Sequence, residues 1–397
     1  MSQAETPIAG LPGIDPDEVD RYLEQGWTLP STLYTDPVVA RLEDRLIWRS
    51  AWQEIGTLAD FRKPGDYLTV QLGRYPILVV RDGEGELRAY LNVCRHRGAL
   101  LAGGDMGDKS DNDSGNCKQF RCRYHGWTYG LNGELKGAPN WKDGNLPPFE
   151  ELALTPVSVD TWGGIVFVSV EPTESLGEFI SDLPHVAEQK GYEFPFLTED
   201  LVLAGTYEWQ VKANWKAFME NNLECYHCST THTDTLAAVF KVDIRNFCTL
   251  NFRNGNHLGA PFTDDLDEKI EPKMAQSLAG EAERKGEQPF QQYWVAPNNM
   301  FTTGVGLGDA LYRIDPTGPE SCRMVARVYL GKDDNENRER LDEFMGDFVA
   351  EDVGVSGGVQ IGLGAGSREF GPLLDEREES LRWFSRFVWE RLSPAFR

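Results

Sequence analysis

Two short stretches concentrate side chains that hold metals. Residues 94–98 read CRHRG and residues 122–127 read CRYHGW, in a chain with only six histidines. Cys94 with His96 makes one pair of candidate ligands, and Cys122 with His125 makes another. Gly98 and Gly126 follow the histidines, where a tight turn would need a glycine backbone. Two readings fit these four residues: a structural zinc, or a [2Fe-2S] cluster with two Cys on one iron and two His on the other. Zinc fingers usually separate a Cys pair from a His pair, whereas here each loop supplies one of each, which suits a cluster with chemically different irons.

A second constellation lies in NWKAFMENNLECYHCSTTH, residues 214–232. Asn214 reads as a helix cap, with Trp215, Phe218, Met219, Asn222 and Tyr226 along an apolar face. Glu220, Glu224 and His227 fall on another face, at i, i+4 and i+7, so Glu224 and His227 can touch. His232 lies about 140° further around an ideal helix, so the two histidines share a metal only if the helix ends or distorts between them. Ser229, Thr230 and Thr231 favour such an ending. A third ligand is suggested by Leu341, Phe344, Met345, Phe348 and Val349, an amphipathic stripe that runs on to Asp352, with Glu351 beside it. A carboxylate on a buried stripe needs a cation or hydrogen-bond donors. Two His and one carboxylate are the facial set of non-haem Fe(II) sites, which leaves positions open. The plainer alternative is a surface helix with an ordinary Glu–His pair. Cys225 and Cys228 form a CxxC by spacing and read as packing residues. Trp209, Phe218, Tyr293, Trp294 and Phe301 are candidates to line a pocket, where aromatic faces attract a methylated ammonium, or else to form core.

These residues need two kinds of scaffold. Residues 1–44 mix Pro, Gly and acidic side chains and read as an N-terminal arm. Residues 45–170 carry short β-branched and aromatic runs such as YLTVQL and YPILVVRD between Gly-containing turns, an antiparallel β domain holding both Cys/His pairs. Residues 171–397 alternate strands with helical stretches, so the whole is α+β rather than regular βαβ. Two polar stretches stand out, 105–116 and the Glu/Lys-rich 264–288; in the first, Asp111 and Asp113 are spaced like calcium ligands but lack the closing Glu and Gly of an EF-hand, so a solvated loop is expected there. A length of 397 residues allows a sizeable core. The net charge of −24 argues against a nucleic-acid partner. With no secretory leader or membrane-length apolar run in view, and seven cysteines without framework spacing, a cytoplasmic, reducing setting is expected.

CRHRG followed by CRYHGWTY resembles the Rieske motif. From about residue 44 onward the chain is similar to the α subunit of the Rieske non-heme iron oxygenases, through NWKxxxEN, ExYH with a second His five positions on, and ED followed by VQIGL. That resemblance implies a small antiparallel-β Rieske domain and a larger domain with an antiparallel sheet surrounded by helices. It implies a [2Fe-2S] cluster on Cys94, His96, Cys122 and His125, and a mononuclear iron on His227, His232 and Asp352, with Asn221 near it. It further implies dioxygen as co-substrate, electrons from NAD(P)H through a ferredoxin or flavin reductase, and a homotrimer in which one subunit's cluster faces its neighbour's iron. Glu224 would bridge His227 and, across that interface, His125. The family commonly has Asp at this position, and the interval from His96 to Cys122, with Cys117 as a free thiol, is longer than usual. ENNLECYHC looks most like the branch that oxidises betaine- and carnitine-like quaternary ammonium compounds. The expected function is therefore a terminal oxygenase that hydroxylates or oxidatively demethylates a small, N-methylated substrate, with cis-dihydroxylation of an aromatic ring as the alternative. A Rieske electron carrier or a zinc-stapled binding protein explains only one constellation. The sequence leaves open whether a small β subunit joins.

Overall fold

The computed structural model describes residues 13–103, 114–141, 147–189, 201–232, 248–260, 290–303, 308–366, 369–374 and 377–397. Asp111, Asp113 and the 264–288 stretch lie outside them. The chain forms two compact units: one takes Trp48–Glu178, and the other takes the segments up to Ile47 together with most of the chain from Phe179 onward.

The first unit is built on a seven-stranded antiparallel sheet. In chain order its strands are β1 (Gln53–Thr57), β2 (Asp66–Leu72), β3 (Tyr75–Arg81), β4 (Leu87–Leu91), β5 (Ser114–Asn116), β9 (Pro156–Trp162) and β10 (Ile165–Ser169), arranged β1-β10-β9-β4-β3-β2-β5. A three-stranded sheet of β6 (Phe120–Arg121), β7 (Thr128–Tyr129) and β8 (Leu135–Gly137) accompanies it. Strand β3 explains the layering. Its run Ile77-Leu78-Val79-Val80 is fully buried, and successive side chains point to opposite faces. Ile77 and Val79 join one core with Phe61, Val70 and Val166. Leu78 and Val80 join a second core that contains Cys94, Cys122, Trp127 and Tyr129. The two candidate cysteines are thus rooted in apolar packing rather than placed on mobile turns.

The second unit contains a seven-stranded antiparallel sheet: β11 (Leu201–Val211), β12 (Cys248–Phe252), β13 (Gly255–Ala260), β14 (Phe290–Val295), β15 (Asn299–Thr303), β16 (Asp309–Gly318) and β17 (Ser321–Gly331), ordered β11-β17-β16-β15-β14-β13-β12. Around it are α1 (Pro16–Glu24), α2 (Thr32–Thr35), α3 (Pro37–Glu43), α4 (Trp215–Asn222), α5 (Cys228–Thr231), α6 (Asn335–Gly364) and α7 (Glu379–Leu392). Asp15 and Asp36 cap α1 and α3, each followed by a proline at the first helical position.

Strand register decides which side chains face the helices. Trp209 pairs with Met324, which pairs with Ile314; Tyr312 pairs with Met300, which pairs with Trp294. Paired residues share a face. On this face Tyr207 donates to Asp342 of α6, and Trp294 packs edge-on against Phe384 and Phe387 of α7. Tyr293 and Phe301 pair with each other and take the opposite face. Of the aromatics expected at a pocket, Trp209 and Trp294 therefore lie on the helix side, whereas Tyr293 and Phe301 do not. The physical reason is the two-residue strand period, which sends neighbours to opposite sides.

The N-terminal segment is knitted into this unit. Glu43, at the end of α3, and Lys216 of α4 form an ion pair that is almost wholly buried, 2% and 0% exposed. Trp215 Nε1 donates to the other Glu43 oxygen at 2.8 Å, and Tyr34 of α2 donates to Glu220 at 2.5 Å. Buried charges of this kind persist only when paired and hydrogen-bonded.

Candidate metal centres

The two Cys/His loops have the same backbone construction. In the first, Cys94 N donates to Ala99 O at 2.8 Å and Gly98 N to Cys94 O at 3.0 Å. In the second, Cys122 N donates to Trp127 O at 2.8 Å and Gly126 N to Cys122 O at 2.9 Å. A single β-bridge, Val93 to Leu100, closes the first loop, and the pairing of Arg121 with Thr128 closes the second. Gly98 and Gly126 have φ of 74° and 75°, the left-handed region that a side chain would strain.

These twin loops bury Cys94 and Cys122, each 2% exposed, while His125 sits at the surface. The rings of His96 and His125 approach to 4.6 Å between centroids, and Trp127 stacks on His96 at 4.7 Å with 8° between planes. Burial pushes the Cys94 thiol up, and the neighbouring Cys122 adds to the rise, against a hydrogen bond from Tyr129. A metal bound between them would hold both as thiolates. Tyr129 was missed in the sequence: its hydroxyl lies 3.4 Å from Cys94 Sγ and accepts from Arg95 N at 3.1 Å. Cysteines inside and imidazoles outside is the arrangement a [2Fe-2S] group with two unlike irons requires, and the donor set fits it.

In the second unit, α4 opens as expected, with the Asn214 side chain accepting from Lys216 N at 2.9 Å. It ends sooner than the periodicity implied. The helix stops at Asn222, and Leu223 forms its cap, so Glu224, Tyr226 and His227 belong to a turn and not to helix faces. Tyr226 is accordingly 44% exposed instead of packed. The turn still joins Glu224 to His227: Oε1 meets Nδ1 at 2.5 Å. Cys225 and Cys228, expected to be packing residues, are joined in a disulfide, with 5.0 Å between Cα atoms, because the turn folds i onto i+3 within bonding range. Helix α5 then occupies the interval between His227 and His232, which removes the angular conflict of a continuous helix.

The stripe on α6 buries Leu341, Met345, Val349 and Asp352, the last only 5% exposed. It delivers the carboxylate to the histidines. His227 Nε2 and His232 Nε2 lie 3.3 Å apart, and Asp352 Oδ1 lies 3.4 Å from the first and 3.1 Å from the second. Three donors bound to one first-row metal at about 2.0–2.2 Å stand roughly 2.9–3.5 Å from each other. The triangle has that size. Asp352 Oδ1 and Asn221 Oδ1 are both buried without a hydrogen-bond partner, and Asn221 Nδ2 lies 3.4 Å from His227 Nε2. A buried carboxylate oxygen that meets two imidazoles outside hydrogen-bond geometry is what a metal among them would satisfy. The residues fit a mononuclear iron.

Electrostatics agree with the geometry. Burial depresses the His227 pKa, but the neighbouring carboxylates of Asp352 and Glu224 outweigh it and raise the value to about 9. Burial likewise lowers His232, and Asp352 and Glu351 carry it above its usual value. Asp352 is driven up by burial and pulled below the ordinary carboxylate range by both histidines. A metal ion would take the place of those protons. Phe218 is fully buried in α4 and Trp209 is half-buried on the helix side of β11; the sequence did not foresee Glu351 as the residue on His232 Nδ1, at 2.7 Å.

Comparison with known proteins accounts for both units. Residues 51–153 match the Rieske [2Fe-2S] domain, and residues 198–393 match the ring hydroxylating alpha subunit catalytic domain. The chloroplastic choline monooxygenase of Atriplex hortensis is 30% identical over 348 residues, 86% of this chain and 72% of that protein. The chain belongs to the Rieske non-heme iron oxygenases. The carnitine monooxygenase oxygenase subunit of Acinetobacter pittii is 26% identical across 89% of this chain and 90% of its own length. The glycine betaine monooxygenase oxygenase subunit of Pseudomonas aeruginosa is 32% identical over 224 residues, and the match spans about half of it, 49%. A quaternary ammonium Rieske monooxygenase shares the fold at a TM-score of 0.80 and 23% identity, covering 96% of this chain and 99% of that one. Naphthalene 1,2-dioxygenase from Rhodococcus shares it at 0.72 and 22%, covering 95% and 99%. This Rieske oxygenase has, among its described residues, no helix long and apolar enough to cross a membrane.

Proposed function

We propose that this chain is the terminal oxygenase of a multicomponent Rieske system in the cytoplasm, fed from NAD(P)H through a ferredoxin or flavin reductase, and that it monooxygenates an N-methylated quaternary ammonium compound. The observation that carries the reading is the coexistence of a Cys2His2 pair of twin loops with a His227, His232 and Asp352 triangle of metal-binding size. When bound, the cluster supplies electrons singly and the mononuclear iron activates dioxygen toward the substrate. The chain's residues do the positioning. Glu224 holds His227 by Nδ1, leaving Nε2 as the ligand atom. The apolar stripe of α6 and the buried aromatics of the helix-side face keep water from the site. Choline, carnitine and glycine betaine are named in three relatives, which favours a quaternary ammonium substrate over an arene.

Surface character supports assembly as a homotrimer. Around the cluster loops, Leu100, Tyr124 and Trp141 are 53%, 56% and 44% exposed, with Arg95, Arg97, Arg121 and Arg123 beside them on a chain of net charge −24. Near the iron ligands, Tyr226, Val355 and Val359 are also exposed, with Arg377 over the Tyr226 ring. Exposed apolar side chains at both places suit burial against another copy. The trimer would place His125 of one copy toward Glu224 of another.

The test is to purify the protein with its iron, add a surrogate reductase and NADH, and screen choline, glycine betaine, carnitine and a set of arenes for substrate-dependent oxygen consumption. About three irons per chain and formation of a hydroxylated or demethylated ammonium product support the proposal. An arene diol with no turnover of any quaternary ammonium would overturn the substrate class, and a colourless zinc protein would overturn the whole reading.

A further inference from the structure

We infer that Glu351 is a positioning residue of the mononuclear site: its carboxylate fixes the tautomer and ring plane of His232, and thereby sets how tightly the site holds its metal. The inference rests on reading His227, His232 and Asp352 as the ligands.

His232 is buried, 1% exposed. It is the residue after α5, and its backbone N–H bonds to Cys228 O at 3.0 Å, which constrains the main chain but not the ring. Rotation about the bond to an imidazole has a broad, roughly two-fold profile, so packing or hydrogen bonds must choose the ring plane. Glu351 and Asp352 make that choice together. Adjacent residues on a helix point about 100° apart, and the His232 ring lies across that angle. Nδ1 meets Glu351 Oε2 at 2.7 Å, while Nε2 meets Asp352 Oδ1 at 3.1 Å. The Nδ1–H donates to Glu351, so Nε2 carries the lone pair on the side of Asp352 and His227.

The arrangement repeats what Glu224 does for His227. Each histidine has a carboxylate on Nδ1 and turns Nε2 inward, with distances of 2.5 Å and 2.7 Å. The two supports come from different places: Glu224 from the turn that carries His227 itself, and Glu351 from α6. One helix therefore supplies one ligand directly and aims a second through its neighbouring residue. Glu351 is 31% exposed, so it is not a core packing residue, and its removal leaves the apolar stripe of α6 untouched.

Supporting partners of this type are worth about 10- to 100-fold in metal affinity. The experiment uses cluster-loaded protein whose mononuclear site has been emptied with a chelator. Ferrous iron is titrated back anaerobically against a competing chelator in wild type, Glu351→Ala and Glu351→Gln. Nitric oxide is then added, and the electron paramagnetic resonance of the iron–nitrosyl signal is recorded at full loading. The expected result is a 10- to 100-fold weaker iron affinity in Glu351→Ala, a changed nitrosyl line shape, and recovery of most of both in Glu351→Gln, whose amide oxygen still accepts from Nδ1–H. The Rieske signal should be unchanged in all three. Equal affinity and line shape in wild type and Glu351→Ala would overturn the inference alone. Failure of wild type to take up a third iron would overturn it together with the ligand assignment.

Discussion

Metal uptake by the mononuclear site should expel a proton, and the apparent affinity should climb about tenfold per pH unit until pH 9. The driving observation is His227, which in the metal-free chain is held by Asp352 and Glu224 strongly enough to offset its burial and titrate at about 9. At pH 7 the ligand nitrogen is therefore occupied by a proton two units below its release. Displacing it costs about 2 × 1.36, or roughly 2.7 kcal/mol, a 100-fold loss of affinity relative to pH 9. His232 is raised in the same direction, so below its own pKa a second proton should be released as well. The same linkage has a stability side with the opposite sign. A raised histidine stabilises the metal-free fold fully below its unfolded value near 6.5, and that contribution disappears as the pH rises through about 9. Metal-free protein should thus be less stable at pH 9 than at pH 6.5 on this account, just where metal binds best.

The assay is calorimetric titration with cobalt(II) in two buffers of different protonation enthalpy, which counts the protons, together with chelator competition from pH 6.5 to 8.5. Glu224→Gln removes one of the charges that raise His227, so the rise in affinity should level off at a lower pH. A flat affinity across that range, with no buffer-dependent heat, would refute the reasoning, because it would mean that no proton occupies the triangle.

Two further outcomes are expected. Tyr129→Phe deletes the hydroxyl 3.4 Å from Cys94 Sγ; if that bond favours the reduced cluster by about 0.5–1.5 kcal/mol, the one-electron potential should fall by roughly 20–65 mV, read by redox titration of the Rieske signal, and an unchanged potential would remove Tyr129 from the cluster's environment. Lys216→Met leaves the Glu43 carboxylate buried without its ammonium and should cost about 3–5 kcal/mol; Glu43→Leu combined with Lys216→Met should recover much of it in calorimetric unfolding, and a single variant as stable as wild type would show that the pair is not desolvated.

What could be seen in the sequence, and what could not, follows from the range over which each feature is decided. The twin loops are local. Six residues from Cys94 to Ala99 and six from Cys122 to Trp127 contain both the ligands and the glycines that turn the backbone, so spacing alone announces them. The cap of α4 at Asn214 is local in the same way, but its end is not. Nothing in NNLECYHC forbids further helix, yet Leu223 caps it and Glu224 and His227 lie on a turn. Sheet faces depend on partners further away. Tyr293 and Trp294 are equally apolar neighbours, and only registration against Phe301 and Met300 tells which one turns toward the helices. Glu43 and Lys216 are 173 residues apart, and nothing in either neighbourhood marks them as a pair. The adjacent acids Glu351 and Asp352 show the limit most sharply. Periodicity places Asp352 on the buried stripe and leaves Glu351 about 100° away, which reads as a solvated position. The ring of His232, arriving from 119 residues earlier, makes it a support instead. A helix that must present one ligand and steady another uses two consecutive carboxylates because a single imidazole is wide enough to touch both.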